Sequence, residues 1–199
     1  MYYAFLGDIH SSMDDLKVVL EDISNKAPEA IQIGTGDLFE CTISKKKITN
    51  EKFRQLEDVM IIPDGFVDLL TFDTVIGNQE ERILLITETN DSLRYKLGSL
   101  PEIIEIDHVR IIHGHQFKWG GVPWSLIEAE IEGPLIFYGH SHQSELWISG
   151  VRQTIEFGVP YSIGNERTLV NVGAVVSDRE WVLYNKLKEE VTFMKTKID

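Results

Sequence analysis

Ala30-Ile31-Gln32-Ile33-Gly34-Thr35-Gly36-Asp37-Leu38 is the stretch whose reading decides the fold. The apolar segment from Ala30 to Ile33 reads as a buried strand, and the Gly-x-Gly turn lets the backbone bend sharply at its end. Asp37 then stands at the rim of a sheet, where open α/β folds bind ligands. Taken alone, such an aspartate is a turn or capping residue. Its meaning depends on what stands at the other strand ends.

Outward from this stretch, the same pattern recurs. Tyr2 to Gly7 is a nearly continuous apolar strand followed by Asp8-Ile9-His10. Met13 to Asn25 carries Met13, Leu16, Val19, Leu20 and Ile23 at helical spacing, with Ser12 as N-cap. With Ala30 to Thr35 as the second strand, this is a β-α-β unit with a parallel strand pair. Glu40 to Lys52 is a polar loop, and Lys52 to Met60 has weak helical periodicity. Phe66 to Leu70 is a short apolar segment. Thr71 to Ile76 is a third strand, ending on Gly77-Asn78-Gln79. Glu81 to Thr87 and Asp91 to Leu97 read as helices, and Ile103 to Ile106 and His108 to Ile112 as strands joined at Asp107. The latter ends on His113-Gly114-His115. Gln116 to Gly121 reads as a loop and Ser125 to Ile131 as a helix. Leu135 to Tyr138 is a strand ending on His140-Ser141-His142. Beyond Glu145 come short β-type runs: Leu146 to Ser149, Val151 to Phe157, Thr168 to Val172, Glu180 to Tyr184 and Val191 to Lys195. They read as antiparallel structure closing a second sheet. No repeat or linker interrupts the chain, so residues 1–199 are expected to form one domain.

Composition narrows the function. The 32 acidic and 19 basic side chains leave a formal charge of −13, the reverse of a nucleic-acid binder's balance. Small phosphate substrates stay compatible if bound cations reverse the field locally. No apolar run approaches the roughly 20 residues of a membrane helix, and the first residues lack a signal peptide's basic region. Cys41 is the only cysteine, so no intrachain disulfide and no thiolate metal site are expected, and a cytoplasmic location is the default. It reads as a buried bystander, and Trp119 and Trp124 read as packing residues. A homo-oligomer is compatible with the sequence.

Five of the six histidines fall in loops after apolar strands, alongside Asp8, Asp37 and Asn78. In extended chain, residues i and i+2 point the same way, so Asp8 with His10, and His140 with His142, can each converge on an ion. Carboxylate and amide oxygens mixed with imidazole nitrogens suit Mn²⁺, Fe, Zn²⁺, Co²⁺ or Ni²⁺. Seven such ligands (Asp8, His10, Asp37, Asn78, His113, His140 and His142) are too many for one ion and suit two.

With these residues in view, the chain resembles the calcineurin-like metallophosphoesterases, in particular their small bacterial and archaeal phosphodiesterases. The likeness runs through Gly7-Asp8-Ile9-His10, Gly36-Asp37-Leu38, Gly77-Asn78, Ile112-His113-Gly114-His115 and Gly139-His140-Ser141-His142. Val170-Asn171-Val172-Gly173-Ala174 resembles the family's later Asn-Pro-Gly-Ser turn. The resemblance implies a four-layer αββα sandwich of two mixed sheets flanked by helices. It implies two divalent metal ions, with Mn²⁺ the first expectation: Asp8, His10 and His142 on one, Asn78, His113 and His140 on the other, and Asp37 bridging. A hydroxide held between them would attack phosphorus in line in a small phosphate ester.

Two departures stand out. Many family members follow the metal-binding Asn with a His that protonates the leaving group; here that position is Gln79, and an amide is no general acid near neutral pH. Good leaving groups are therefore expected, with His115 the nearest substitute acid by motif. The second block, Gly36-Asp37-Leu38-Phe39-Glu40-Cys41-Thr42, lacks the arginine of protein phosphatases, which speaks against that activity. The main rival is a non-catalytic scaffold, since the retromer subunit of this fold looks similar around Ile112 to Gln116; a nuclease is the third reading. Glu40 to Asn50 and Gln116 to Trp124 are expected to flank the site.

Overall fold

The computed structural model describes residues 1–121, 125–128 and 132–197. The opening β-α-β unit is as expected: β1 (Tyr2–Leu6), α1 (Met13–Lys26) and β2 (Ile31–Gly34), with β1 and β2 parallel. Helix α1 buries Leu16, Val19 and Ile23, and carries Asp14 and Asp15 in its first turn and Lys26 in its last, which suits its dipole. Ser12 is at the N-cap, but its hydroxyl donates to Asp15 Oδ2 at 2.7 Å and caps no backbone N–H.

The polar loop after β2 contains a 3₁₀ turn at Lys45–Lys47 and is tied back by an antiparallel bridge between Cys41 and Met60. Residues 52–60 form no helix; a bridge from Phe53 to Thr87 holds them instead. Helix α2 (Phe66–Leu69) precedes β3, which is only Asp73–Thr74, not the six residues expected. Helix α3 (Asn78–Ile86) begins at Asn78 itself, and α4 (Ser92–Gly98) is capped by the Asp91 carboxylate accepting from the Leu93 N–H at 2.7 Å. No helix among the described residues is long and apolar enough to cross a membrane.

The remaining elements are strands: β4 (Ile104–Ile106), β5 (Val109–Ile111), β6 (Lys118–Gly120), β7 (Ser125–Glu128), β8 (Leu135–Tyr138), β9 (Ser144–Ile148), β10 (Val151–Gln153), β11 (Pro160–Ser162), β12 (Thr168–Val172), β13 (Glu180–Asn185) and β14 (Glu190–Lys195). One sheet has the order β11-β14-β13-β1-β2-β3 and the other β10-β9-β12-β8-β5-β4. The run beyond Glu145 therefore does not close one sheet, as expected, but divides between both. Within it, β12 pairs parallel to β8 as well as antiparallel to β9. The helix expected over Ser125 to Ile131 is also corrected: Ser125–Glu128 is a strand paired with β6, and the rest lies outside the described residues. Trp124 lies outside them too.

Three apolar layers hold these parts. Phe5 and Val182 of one sheet meet Phe137 and Val170 of the other, and the Phe5 and Phe137 rings stack at 3.9 Å between centroids. Outside the first sheet, α1, α3 and α4 pack through Leu16, Ile83 and Leu97. Outside the second, Ile136 and Tyr138 are covered by Phe117, Trp119 and Leu126, so there the hairpin β6–β7 lies over the sheet. Trp119 is a packing residue, as expected, and Cys41 is buried. In the parallel trios β1-β2-β3 and β5-β8-β12, the ligand-type loops follow the carboxyl ends of β1, β2, β3, β5 and β8.

Candidate metal centre

The loops after these five strands bring all seven expected ligands together. Ligand atoms of Asp8, His10 and His142 lie within 4.8 Å of one another, and so do those of Asp37, His113 and His140. The groups touch at Asp37: its Oδ2 is 3.3 Å from His113 Nε2 and 3.7 Å from His10 Nε2. Asn78 Oδ1 stands 3.0 Å from His113 Nε2. Asp8, Asp37 and His113 are buried, whereas the His142 side chain is 42% exposed, so the centre opens on that side.

The local backbone is not the extended chain that the i, i+2 argument assumed. Asp8, His10, Asp37, His140 and His142 all have positive φ, between 49° and 74°. Each such residue is held against about 1 kcal/mol of strain, and their convergence on one region comes from these turns. Two glycines allow the packing: a Cβ on Gly77 would strike the Asp37 carboxylate, and one on Gly139 would strike that of Asp8.

Outer partners aim the donors. His10 Nδ1 bonds Glu40 Oε2 at 2.6 Å and His113 Nδ1 donates to the Thr35 carbonyl at 2.8 Å, so each ring turns Nε2 to the centre. The His140 N–H donates to Asp8 Oδ2 and the Gln79 N–H to Asp37 Oδ1. The fully buried Glu80 carboxylate accepts from the N–H groups of Asp37, Phe39 and Gly77 at 2.9–3.0 Å, joining two ligand loops. Asn171 donates to the Gly139 carbonyl and Ser141 Oγ, holding the loop of His140 and His142. Sequence reasoning has Glu40 only as the start of a flanking loop and misses its hold on His10, and it misses Glu80 altogether; their local signals are a carboxylate three residues beyond Asp37 and one two beyond Asn78.

The electrostatics favour cations. Burial alone would drive the His10 and His113 imidazolium forms off, yet Asp8 and Asp37 outweigh it and hold both at about 9. Burial and the neighbouring His113 push His140 down to about 4. Burial also works against an ionised Asp8, but His10 and His142 hold it well below the usual carboxylate range. Glu80 is pushed up to about 7 by burial and by Asp37.

The donor set fits divalent metal ions. Asp8 Oδ1 is buried with no hydrogen-bond partner. Imidazole nitrogens face each other at 3.1 Å (His10 and His142) and 3.2 Å (His113 and His140). Imidazole nitrogens converging in this way on one another and on two buried carboxylates suit a cation held between them.

Gln79 and His115 differ from their expected roles in placement. The Gln79 side chain accepts from the Cys41 N–H at 3.3 Å, although the residue lines the cleft. His115 stands on the far wall, paired with Glu81 at 3.2 Å, its ring 5.3 Å from that of His113. The 590 Å³ cavity at the centre is lined by His10, Asp37, Glu40, Lys45, Asn78 and Arg82 among others.

No family model matches the sequence, and no curated protein matches it. Solved structures do. A metallophosphoesterase from Sphaerobacter thermophilus superposes over 100% of this chain and 90% of its own, with a TM-score of 0.67 at 16% identity. Yfce, a phosphoesterase from E. coli, matches over 99% of this chain and 100% of its own, with a TM-score of 0.50 at 16% identity. The chain thus has the fold of the metallophosphoesterases.

Proposed function

We propose that the protein is a metal-dependent phosphoric ester hydrolase acting on small phosphodiesters. The observation that carries this reading is the meeting of two three-residue donor groups at the Asp37 carboxylate. Asp8, His10 and His142 would hold one ion, Asn78, His113 and His140 the other, and Asp37 both. When bound, two such ions lower the pKa of a water molecule and stabilise charge on the phosphoryl oxygens. The chain's own part is orientation. Glu40 and Thr35 set the ring faces of His10 and His113, and Glu80 ties the Asp37 loop to the start of α3. Asn78, which lines the same cavity, would also meet a phosphoryl oxygen. Gln79 brings no acidic proton to the leaving group, and His115, on the adjoining cavity, is the candidate to supply one.

The test uses protein stripped with a chelator and then titrated with Mn²⁺. Binding of two ions per chain, a rise in thermal stability by mass action and hydrolysis of bis(p-nitrophenyl) phosphate are expected. Two bound ions without hydrolysis would leave a scaffold reading in place of an enzyme.

A further inference from the structure

The cleft has a basic wall that the metal-binding motifs do not explain. Arg82 lies one turn after Asn78 on α3, and i, i+4 positions share a helix face, so it lines the central cavity with that ligand. Lys45, from the 3₁₀ turn, lines the same wall. Both residues also line an adjoining 400 Å³ cavity with Ile48, Glu81, Leu85 and His115, which places them where the two lobes meet. Neither pairs with a carboxylate among the described residues. The Arg82 guanidinium approaches the Ile43 carbonyl, at 3.5 Å, and the Cys41 side chain, neither of them a carboxylate, and its Nε is buried without an acceptor. The carboxylates on these walls are engaged elsewhere, Glu40 by His10 and Glu81 by His115. A chain with 13 more acidic than basic side chains nevertheless keeps over its cleft two cations with no carboxylate partner among the described residues.

We propose that Arg82 and Lys45 form a subsite for a second phosphate, and that the substrates are organic diphosphates cut at the P–O–P link. The cleavage rests on the hydrolase reading above. A guanidinium fork and a mobile ammonium are suited to a phosphate. The link also answers the absence of an acid at Gln79, because a departing phosphate needs no proton to leave. Water oxygen bonds to the attacked phosphorus, the bridging P–O bond breaks, and its electron pair leaves on the second phosphate. Arg82 and Lys45 meet that charge. The water's two protons end one on each product phosphate or in solvent. Ile48 and Leu85 face the group esterified to the leaving phosphate.

Calorimetric titration of the Mn²⁺-loaded protein with AMP and with adenosine 5′-(α,β-methylene)diphosphate tests the subsite without turnover. The diphosphonate is expected to bind at least about tenfold more tightly than AMP, the scale of one charge-assisted contact. Arg82→Gln and Lys45→Gln should each erode that ratio, and the double variant should abolish it. The kcat/KM ratio of ADP-ribose to bis(p-nitrophenyl) phosphate should fall in the same order. Equal affinities in the wild type, or a ratio that survives in the double variant, overturns the subsite. A protein that shows the preference yet hydrolyses neither probe overturns the hydrolase reading and its cleavage step, and keeps the subsite.

Discussion

The backbone N–H of Gln79 donates to Asp37 Oδ1 at 2.8 Å, across 42 residues of sequence. That bond decides which oxygen of Asp37 remains for the centre. Oδ2 is left between His10 of one donor group and His113 of the other, and the α3 helix that carries Asn78 is thereby anchored to the loop after β2.

Asp37→Asn keeps the size of the side chain and removes its charge. Both metal sites should weaken and hydrolysis of bis(p-nitrophenyl) phosphate should fall by more than the ~10–100-fold that loss of an outer partner produces. Circular dichroism should be unchanged. If two ions still bind and turnover survives, Asp37 is not the shared ligand.

Gln79→His would place a proton donor on the cleft. Hydrolysis of alkyl phosphodiesters is expected to rise by about 10²-fold, with little gain for aryl esters that leave unaided. An unaltered dependence of rate on leaving-group pKa counts against the role given to this position.

Glu80→Gln replaces a buried carboxylate that three N–H groups share. An amide can offer one oxygen and turns a donor towards donors. A loss of about 1–3 kcal/mol in urea unfolding is expected, together with weaker metal binding, since the loops of Asp37 and Asn78 lose their tie. Unchanged stability and metal affinity would show that the tie is dispensable.

Asp15 and Asp22 fasten α1 to the far end of the chain and set an acid limit. Burial opposes their ionisation. For Asp15, the Ser12 hydroxyl, the Ser177 N–H and Arg179 outweigh it, and for Asp22, Lys26, Thr196 and Trp181 do. Both pKa values therefore lie below the ordinary 3.8. A folded pKa below the unfolded one means the stabilisation is complete above about pH 4 and fades as pH falls through the folded values. The Asp15→Asn, Asp22→Asn double variant should be less stable at pH 7 and should lose less between pH 4 and pH 2 than the wild type. Parallel stability curves for the two proteins would contradict this.

Much of the centre was legible because its residues are chemically distinctive and sit at strand ends. Apolar runs followed by Asp, Asn or His marked five loops, and all seven candidate donors do converge. The geometry behind them was not legible. The left-handed backbone at His10, His140 and His142 cannot be read from the residue type: histidine enters that region more often than most side chains, yet still only in a minority of cases. It is imposed by bonds such as that from the His140 N–H to Asp8 Oδ2, 132 residues away. The sequence does not show the short β6–β7 pair, because Lys118–Gly120 carries no alternation and the period of Ser125 to Ile131 does not separate strand from helix.

The sequence by itself determined the strand-and-turn rhythm, the opening β-α-β unit and the donor types at each strand end, since these follow from local hydrophobic pattern and side-chain chemistry. Tertiary structure alone decided the rest. It divided the last strands between two sheets, because pairing partners such as β12 and β8 are chosen by packing across the core and not by neighbours in sequence. It gave Glu80 its three backbone donors, chose the Asp37 oxygen that faces the centre, and set Arg82 and Lys45 on one wall of the cleft. Each of these depends on residues far apart in sequence being fixed within a few ångströms, and only the closed core of two sheets and their helices holds them there.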